Sequence, residues 1–278
     1  MWKITRNLLI SVLIAALLLP PQAMAWRHRR HKAGAYQLTV NSALLMDARS
    51  HHVYFGQGAT KLIFPASTTK ILTAILVLEN LPLDKVVTVS ERATQVQPTK
   101  LDLKAGEQYT VRDLMYGLLL KSANDAAVVL AEAVAGSQSN FVDMMNKRAR
   151  ELGATHSHFA NPHGLPSEGK QYTTAYDMSL IFQAALKNDF FRKAITFKYR
   201  IIYSKDGRRH FLKSHNKSLF LNWKQNVYGK TGYTIDAQSC FVGYVPKGDD
   251  VLIIAVFGCH KRWDDIKAII ERYGHIDL

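Results

Sequence analysis

A serine and a lysine stand three positions apart at the start of an apolar stretch in PASTTKILTAI, residues 65–75. Ser67 and Lys70 would share one face of a helix, because residues i and i+3 are neighbours there. A serine hydroxyl becomes an effective nucleophile beside a base, and a lysine can be that base when its pKa falls. In the structural alternative, Ser67 caps the helix and Lys70 reaches water. The pair alone does not separate these two interpretations.

Two further polar clusters interrupt apolar stretches later in the chain. KSANDAA contains Ser122 and Asn124, where a hydroxyl can relay a proton and an amide can both donate and accept hydrogen bonds. YGKTGYT contains Lys230, Thr231 and Gly232, and the glycine would let a substrate backbone approach a strand closely. Taken singly, Ser122 and Asn124 are ordinary helix-boundary residues, and YGKTGYT is as typical of a tight turn before an edge strand as of a binding site.

Together the clusters form Ser-x-x-Lys, Ser-x-Asn and Lys-Thr-Gly, in that order. This set resembles the signature of the penicillin-binding proteins and serine β-lactamases. The segment NPHGLPSEGKQYTTAYDMSLI, residues 161–181, is similar to the Asn-Pro-x-Gly-Leu segment of one branch of that group. From about residue 38 to 273, the chain resembles the D-alanyl-D-alanine carboxypeptidase family, which are low-molecular-mass penicillin-binding proteins and serine peptidases of the S11 type.

The resemblance implies a role for each matching residue. Ser67 would be the acylated nucleophile and Lys70 its general base. Ser122 and Asn124 would relay the proton and hold the substrate, and the terminal carboxylate of the substrate would be bound by Lys230 and Thr231.

The family also places two backbone N–H groups around the developing oxyanion. Those positions correspond to Ser67 and to Tyr233, which follows Gly232, and Arg262 in KRWDD resembles a basic residue near the substrate carboxylate. The implied reaction removes the last D-alanine from peptidoglycan stem pentapeptides through a Ser67 acyl-enzyme, and β-lactams would act as covalent inhibitors. No metal or other cofactor is implied, and no spacing of His or Cys residues suggests one.

Three other functions share some of these sequence features. A class A β-lactamase needs a glutamate in a Glu-x-x-x-Asn loop, but none of Glu132, Glu151 and Glu168 has asparagine four positions later. The cluster Ser-Ala-Asn, in place of Ser-Asp-Asn, also argues against it. A D,D-endopeptidase that cuts crosslinks shares all three clusters and stays open. A non-catalytic wall-binding protein is disfavoured because Ser67, Lys70 and Lys230 are intact.

The N-terminal residues have the composition of a signal peptide. Basic residues precede the apolar run 8–19, which is too short to span a bilayer comfortably, and Ala-Met-Ala precedes Trp26. We expect a cleaved signal peptide at 1–25, a basic arm at 26–37 and an exported, periplasmic peptidase domain at 38–278. Retention of the uncleaved segment as a membrane anchor is the alternative.

The chain is strongly basic, with 36 Lys+Arg against 22 Asp+Glu. Such a balance favours polyanionic partners. Because an exported protein does not meet nucleic acid, we expect no nucleic-acid partner. Weak contact of the arm with anionic membrane or wall polymers is the remaining expectation.

Strand patterns occur at both ends of the sequence and helix patterns between them. Hairpins are predicted at 37–56, 195–214 and 238–258. Helices are predicted at 71–78, 111–121, 125–136, 140–153, 175–187 and 263–274, with residues 81–104 irregular. The last helix has one apolar side, formed by Trp263, Ile266, Ile269, Ile270 and Tyr273. This order predicts an α/β (α+β) fold, with an antiparallel sheet flanked by helices and an inserted helical region, β-lactamase/transpeptidase-like by resemblance.

Cys240 and Cys259 lie on the two strands of the last predicted hairpin, in a compartment that permits disulfides. Pairing around a turn at 246–250 would place Cys240 opposite residue 255 or 256. A disulfide between the two cysteines is therefore not predicted, although the sequence does not exclude one.

Overall fold

The structure is a computed structural model that describes residues 36–167 and 171–278. The strands are β1 (Ser42–Asp47), β2 (Val53–Gln57), β3 (Val86–Thr88), β4 (Gln108–Thr110), β5 (Tyr199–Tyr203), β6 (Arg209–Lys213), β7 (Tyr228–Thr234), β8 (Gln238–Lys247) and β9 (Asp250–Cys259). The α-helices are α1 (Lys70–Asn80), α2 (Glu91–Thr94), α3 (Val111–Tyr116), α4 (Asn124–Ala135), α5 (Gln138–Glu151), α6 (Ala175–Ala185), α7 (Asp189–Ala194) and α8 (Arg262–Ile269).

A five-stranded antiparallel sheet in the order β2-β1-β9-β8-β7 joins the two ends of the sequence. β1 pairs with β9, so that Leu45 lies opposite Ile254. The helices α1 to α7 are inserted between β2 and β7. The predicted fold class, an antiparallel sheet with an inserted helical region, is confirmed.

The two faces of the sheet are buried in two separate hydrophobic cores, because side chains alternate along each strand. In β9, Ile253 and Ala255 belong to the larger core under the inserted helices, whereas Ile254 and Val256 belong to the smaller core. The smaller core is closed by the C-terminal helix. All five residues of its predicted apolar side pack there: Trp263, Ile266, Ile269, Ile270 and Tyr273.

Helix α1 runs through the larger core, and its residues from Lys70 to Val77 are all buried. It packs against α4, α5 and α6, so the apolar run that follows Ser67 is surrounded by other helices. Two local predictions were incomplete. Residues 81–104 contain the short elements β3 and α2, and helix α7 was not predicted. Elements of three to six residues are too short to show a period.

The two cysteines are both free and buried. A bulge in the pairing of β8 with β9 places Ser239 opposite Cys259 and Phe241 opposite Val256, so the predicted pairing of Cys240 with residue 255 or 256 was wrong. Cys240 packs in the larger core and Cys259 in the smaller one. Their side chains therefore lie on opposite faces of the sheet, which explains why they are not bonded.

Gln37–Leu278 form one compact unit. The predicted signal peptide, 1–25, and residues 26–35 of the predicted arm lie outside the described residues. Within the described residues, no helix has both the length and the apolar character needed to cross a bilayer.

Candidate active site

Ser67 lies in a 3₁₀ turn, Ala66–Thr69, that leads directly into α1. No side-chain cap hydrogen bond is recorded at the start of either helix, and Lys70 is 0% exposed. The structural alternative, in which Ser67 caps a helix and Lys70 reaches water, is therefore wrong. Ser67 itself is half-buried at the junction of the helical region and the sheet.

Lys70 is held by three oxygen atoms. Its Nζ lies 3.0 Å from Ser67 Oγ and donates to Asn124 Oδ1 at 2.6 Å and to the His163 carbonyl at 2.7 Å. Burial, and then the positive charge of Lys230, hold the pKa of Lys70 well below its usual range, although Asp125 opposes this shift. A lysine with a lowered pKa can be an uncharged amine, and hence a base, near neutral pH.

The second cluster is positioned by the start of α4. Ser122 adopts a left-handed conformation, with φ 61°, between the π-helical segment Gly117–Lys121 and α4. This turn brings Asn124 into the first turn of α4, where its Nδ2 donates to the Gln97 carbonyl at 2.9 Å. The amide of Asn124 thus bridges Lys70 and the loop that contains Gln97.

The third cluster lies on β7, the edge strand of the sheet. Lys230 is 1% exposed, and its Nζ donates to Ser122 Oγ at 2.8 Å and to the Thr231 carbonyl at 2.9 Å. Burial, followed by the charge of Arg262, lowers the pKa of Lys230 to about 7. The three clusters, distant in sequence, therefore meet in one hydrogen-bonded group.

β7 passes very close to the serine turn at Gly232. A Cβ atom at this position would lie 3.1 Å from Ala66 Cβ and 3.1 Å from Ser67 N. The lack of a side chain at Gly232 therefore brings the backbone of β7 next to the backbone N–H of Ser67. Tyr233, the next residue, is 62% exposed at the mouth of the site, and Thr231 is buried.

Arg262 contacts the backbone of β7 at Gly232. Its Nη1 donates to the carbonyls of Gly232, at 3.1 Å, and of Cys240, at 2.9 Å, and its guanidinium lies 4.8 Å from the ring centroid of Trp263. These contacts tie β7 to β8. Every residue predicted for the site is thus near the Ser67–Lys70 pair or supports β7.

Residues 161–165 form a turn that supports Lys70, a role that their sequence did not predict. Gly164 has φ +85°, and a Cβ atom there would lie 1.8 Å from the Ala66 carbonyl oxygen. Asn161 Oδ1 accepts from Gly164 N at 2.6 Å, and Asn161 Nδ2 donates to the Leu165 carbonyl at 2.8 Å. This turn aims the His163 carbonyl at Lys70. The Asn-Pro-x-Gly sequence was the signal for it.

Three further residues contribute to the site, although the sequence motifs gave them no role. The buried carboxylate of Asp125 accepts hydrogen bonds from the N–H groups of Leu101 and Leu103 and holds the loop beside Asn124. The His163 side chain is kept neutral, because burial and the charge of Lys70 lower its pKa to about 3. His215 near Lys230 is likewise neutral, with its pKa lowered to about 4 by burial and then by the charge of Lys230.

The sequence is similar to a known family of peptidases. A sequence model of the family described as D-alanyl-D-alanine carboxypeptidase, peptidase S11, matches residues 29–261. D-alanyl-D-alanine carboxypeptidase DacF of Bacillus subtilis is 33% identical over 262 residues, which cover 91% of this chain and 66% of that protein. The chain thus spans slightly less than two thirds of the length of this relative.

Solved structures show the same architecture. The D-alanyl-D-alanine carboxypeptidase of Mycobacterium tuberculosis superimposes with a TM-score of 0.80 at 32% identity, covering 89% of this chain and 96% of that one. The Streptomyces K15 DD-transpeptidase superimposes with a TM-score of 0.80 at 27% identity, covering 87% and 99%. With its sequence matched across residues 29–261, this chain belongs to the D-alanyl-D-alanine carboxypeptidase family of peptidases, S11.

Proposed function

We propose that this protein is a serine D,D-carboxypeptidase that removes the terminal D-alanine from peptidoglycan stem pentapeptides. The observation that carries the proposal is the coordination of Lys70. An uncharged amine has two N–H bonds and one lone pair, and Lys70 Nζ has two fixed acceptors, Asn124 Oδ1 and the His163 carbonyl. The third bonding direction of Lys70 Nζ points to Ser67 Oγ, 3.0 Å away. This arrangement suits a lone pair that accepts the hydroxyl proton.

In the proposed acylation step, Ser67 Oγ attacks the carbonyl carbon between the two D-alanines while its proton passes to Lys70. The oxyanion would lie between the backbone N–H groups of Ser67 and Tyr233, and the close approach of Gly232 to Ser67 N supports this position. The C–N bond then breaks. The departing amine takes up the proton through Ser122, whose hydroxyl already accepts from Lys230.

The positive charge of Lys230 supports recognition of a free carboxylate. Its two protein partners are neutral oxygens, the Ser122 hydroxyl and the Thr231 carbonyl. An anion at this end of β7 would offset the burial of the ammonium, with Thr231 and Arg262 completing its contacts. A substrate that ends in a free D-alanine provides such an anion.

The acyl-enzyme at Ser67 is then hydrolysed by water, which releases the shortened peptide. The partners proposed for this site are therefore peptidoglycan stem peptides as substrates and β-lactams as covalent inhibitors. A β-lactam ring contains an amide that the same serine would open, leaving an ester on Ser67.

The proposed cellular setting is the periplasm. Residues 1–25 would direct export and be removed, residues 26–37 would form the basic arm, and 38–278 would be the peptidase domain. N-terminal sequencing of the protein from the periplasmic fraction tests this directly. A first residue of Trp26 is expected, and mature protein that retains Met1 in the membrane fraction would refute it.

The activity is tested by mass spectrometry of two substrates incubated with the protein and with Ser67→Ala. One is a stem pentapeptide that ends in D-Ala-D-Ala, and the other is a crosslinked peptide dimer. Release of D-alanine from the pentapeptide, lost in Ser67→Ala, is the expected result. Cleavage of the dimer alone would make the protein a D,D-endopeptidase with the same nucleophile, and no turnover of either would refute the enzymatic proposal.

A further inference from the structure

The β5–β6 hairpin, away from the residues of the active site, presents an apolar face to solvent. Its two strands pair so that one set of side chains points outward, namely Tyr199, Ile201, Tyr203, Arg209, Phe211 and Lys213. We call these six residues the hairpin face. Its four apolar members are each between 38% and 58% exposed, whereas Ile202 and Leu212 on the other side of the hairpin are buried.

The apolar surface is continuous beyond the hairpin itself. The Tyr199 ring stacks on Phe211, with centroids 5.6 Å apart, and makes an edge contact with Phe220 at 5.5 Å. Phe220 and Leu221 are 37% and 38% exposed beside it. A contiguous exposed patch of this kind, in contrast to scattered single residues, is typical of a binding surface.

Positive charge surrounds this patch. The exposed basic residues between 198 and 217 are Lys198, Arg200, Lys205, Arg209, Lys213 and Lys217. None of the six has an acidic partner within 4.0 Å among the described residues, unlike Arg208, which pairs with Glu107. Between residues 195 and 224 the single acidic residue is Asp206. The patch is therefore matched to an anionic partner.

We propose that the hairpin face docks on the surface of an anionic phospholipid bilayer. Tyrosine and phenylalanine rings favour the boundary between headgroups and acyl chains, and flanking lysines and arginines bind anionic headgroups. The aliphatic Ile201 and Leu221 gain from contact with acyl chains. They would gain little from a glycan strand, whose sugars need stacking rings and hydrogen-bonding groups, so the bilayer is favoured over a wall polymer.

The docking surface would be rigidly connected to the active site. The residues after β6 join the segment that precedes Ser122, through His215 N, which donates to the Leu120 carbonyl at 3.0 Å. Docking would therefore hold the catalytic cleft at a set distance from the bilayer. This inference is independent of the proposed reaction, because the hairpin face contains none of the residues assigned to catalysis.

The test is sedimentation of the full chain, in the form that the cell exports, with vesicles of phosphatidylglycerol and phosphatidylcholine or of phosphatidylcholine alone. Two double variants change the hairpin face: Ile201→Ser with Phe211→Ser, and Arg209→Glu with Lys213→Glu. The matched charge control is Arg150→Glu with Lys187→Glu, two exposed basic residues on α5 and after α6. The parent and all variants have the same N-terminus, so any vesicle binding by the N-terminus is the same in each of them.

We expect each hairpin variant to weaken binding to the anionic vesicles about tenfold or more, and the control variant to stay within about twofold of the parent. Acylation by a fluorescent penicillin and the melting temperature verify folding of each variant. Equal binding by hairpin and control variants would overturn the proposal. Hairpin variants that lose binding to isolated peptidoglycan sacculi but bind vesicles like the parent would also overturn it. That result would assign the face to the wall polymer.

Discussion

Lys70 and Lys230 are the same residue type in the same buried site, but their surroundings differ. Both are almost fully inaccessible, and burial is the largest cause of the lowered pKa of each. Lys70 is surrounded by three oxygens from three segments, those of Ser67, Asn124 and His163. Lys230 has one hydroxyl and the carbonyl of its neighbour in sequence.

The difference indicates how one residue type can serve two chemical roles. At Lys70 the protein satisfies two N–H bonds and leaves the third direction to Ser67, which suits a base. At Lys230 the described residues offer no anion as a hydrogen-bond partner, so the charge is available to a substrate carboxylate. Burial alone therefore does not decide what a lysine does, because the number and geometry of its acceptors also matter. Four experiments test this comparison.

The largest effect is expected at Lys70. In Lys70→Arg the guanidinium remains protonated and cannot accept the Ser67 proton, so acylation by a fluorescent penicillin should slow by about 10⁴-fold or more. Lys121→Arg, at a half-buried lysine just before Ser122, is the matched control and should stay within about twofold. Acylation of Lys70→Arg at a rate near that of the parent would exclude Lys70 as the base.

At Lys230 the expected loss depends on the substrate. In Lys230→Met, kcat/KM for a peptide with a free terminal carboxylate should fall by about 10²- to 10³-fold, the size expected for a lost charge-assisted hydrogen bond. For the same peptide with an amidated terminus, the variant should lose about threefold or less. Equal losses on both substrates would instead make Lys230 a positioning residue for Ser122.

Substitution of Gly164 tests the turn at 161–165, which aims the His163 carbonyl at Lys70. Gly164→Ala adds both a strained φ and a collision with the Ala66 carbonyl, and should reduce the free energy of unfolding by about 3 kcal/mol or more. Gly106→Ala has nearly the same φ, +84°, but the added Cβ would meet no atom of the described residues within 4 Å, so it should lose about 1 kcal/mol. Urea unfolding measures both, and equal losses would show that strain alone matters.

The pH dependence of kcat/KM gives the smallest effect. Lys70 must be neutral to act as a base, so activity should rise with pH as Lys70 loses its proton. Because its pKa is lowered, this rise forms the acid limb of the profile. Lys230 must be charged, and its pKa of about 7 predicts a fall of up to about tenfold per pH unit at alkaline pH. Lys230→Arg stays charged and should remove the alkaline fall. An alkaline limb unchanged in this variant would assign that limb to another group.

Much of the fold was predictable because its signals are local. The three hairpins with β1–β2, β5–β6 and β8–β9 follow from alternation around turn residues, and the longer helices from their apolar period. Strands at both ends of the sequence already required one sheet that joins them. The details that failed were the short elements β3, α2 and α7, and the register near Cys240, where a single-residue bulge leaves no trace in the sequence.

For the site, the sequence alone determined which side chains are candidates for the proposed chemistry, because Ser67, Lys70 and Lys230 match the family motifs in type, spacing and order. The tertiary structure decided their surroundings: complete burial of both lysines, and carbonyl acceptors such as that of His163. Every residue has a backbone carbonyl, so residue type does not mark the one that binds Lys70. Burial and electrostatics arise from segments far apart in sequence, and only the folded chain brings them within 3 Å of one another.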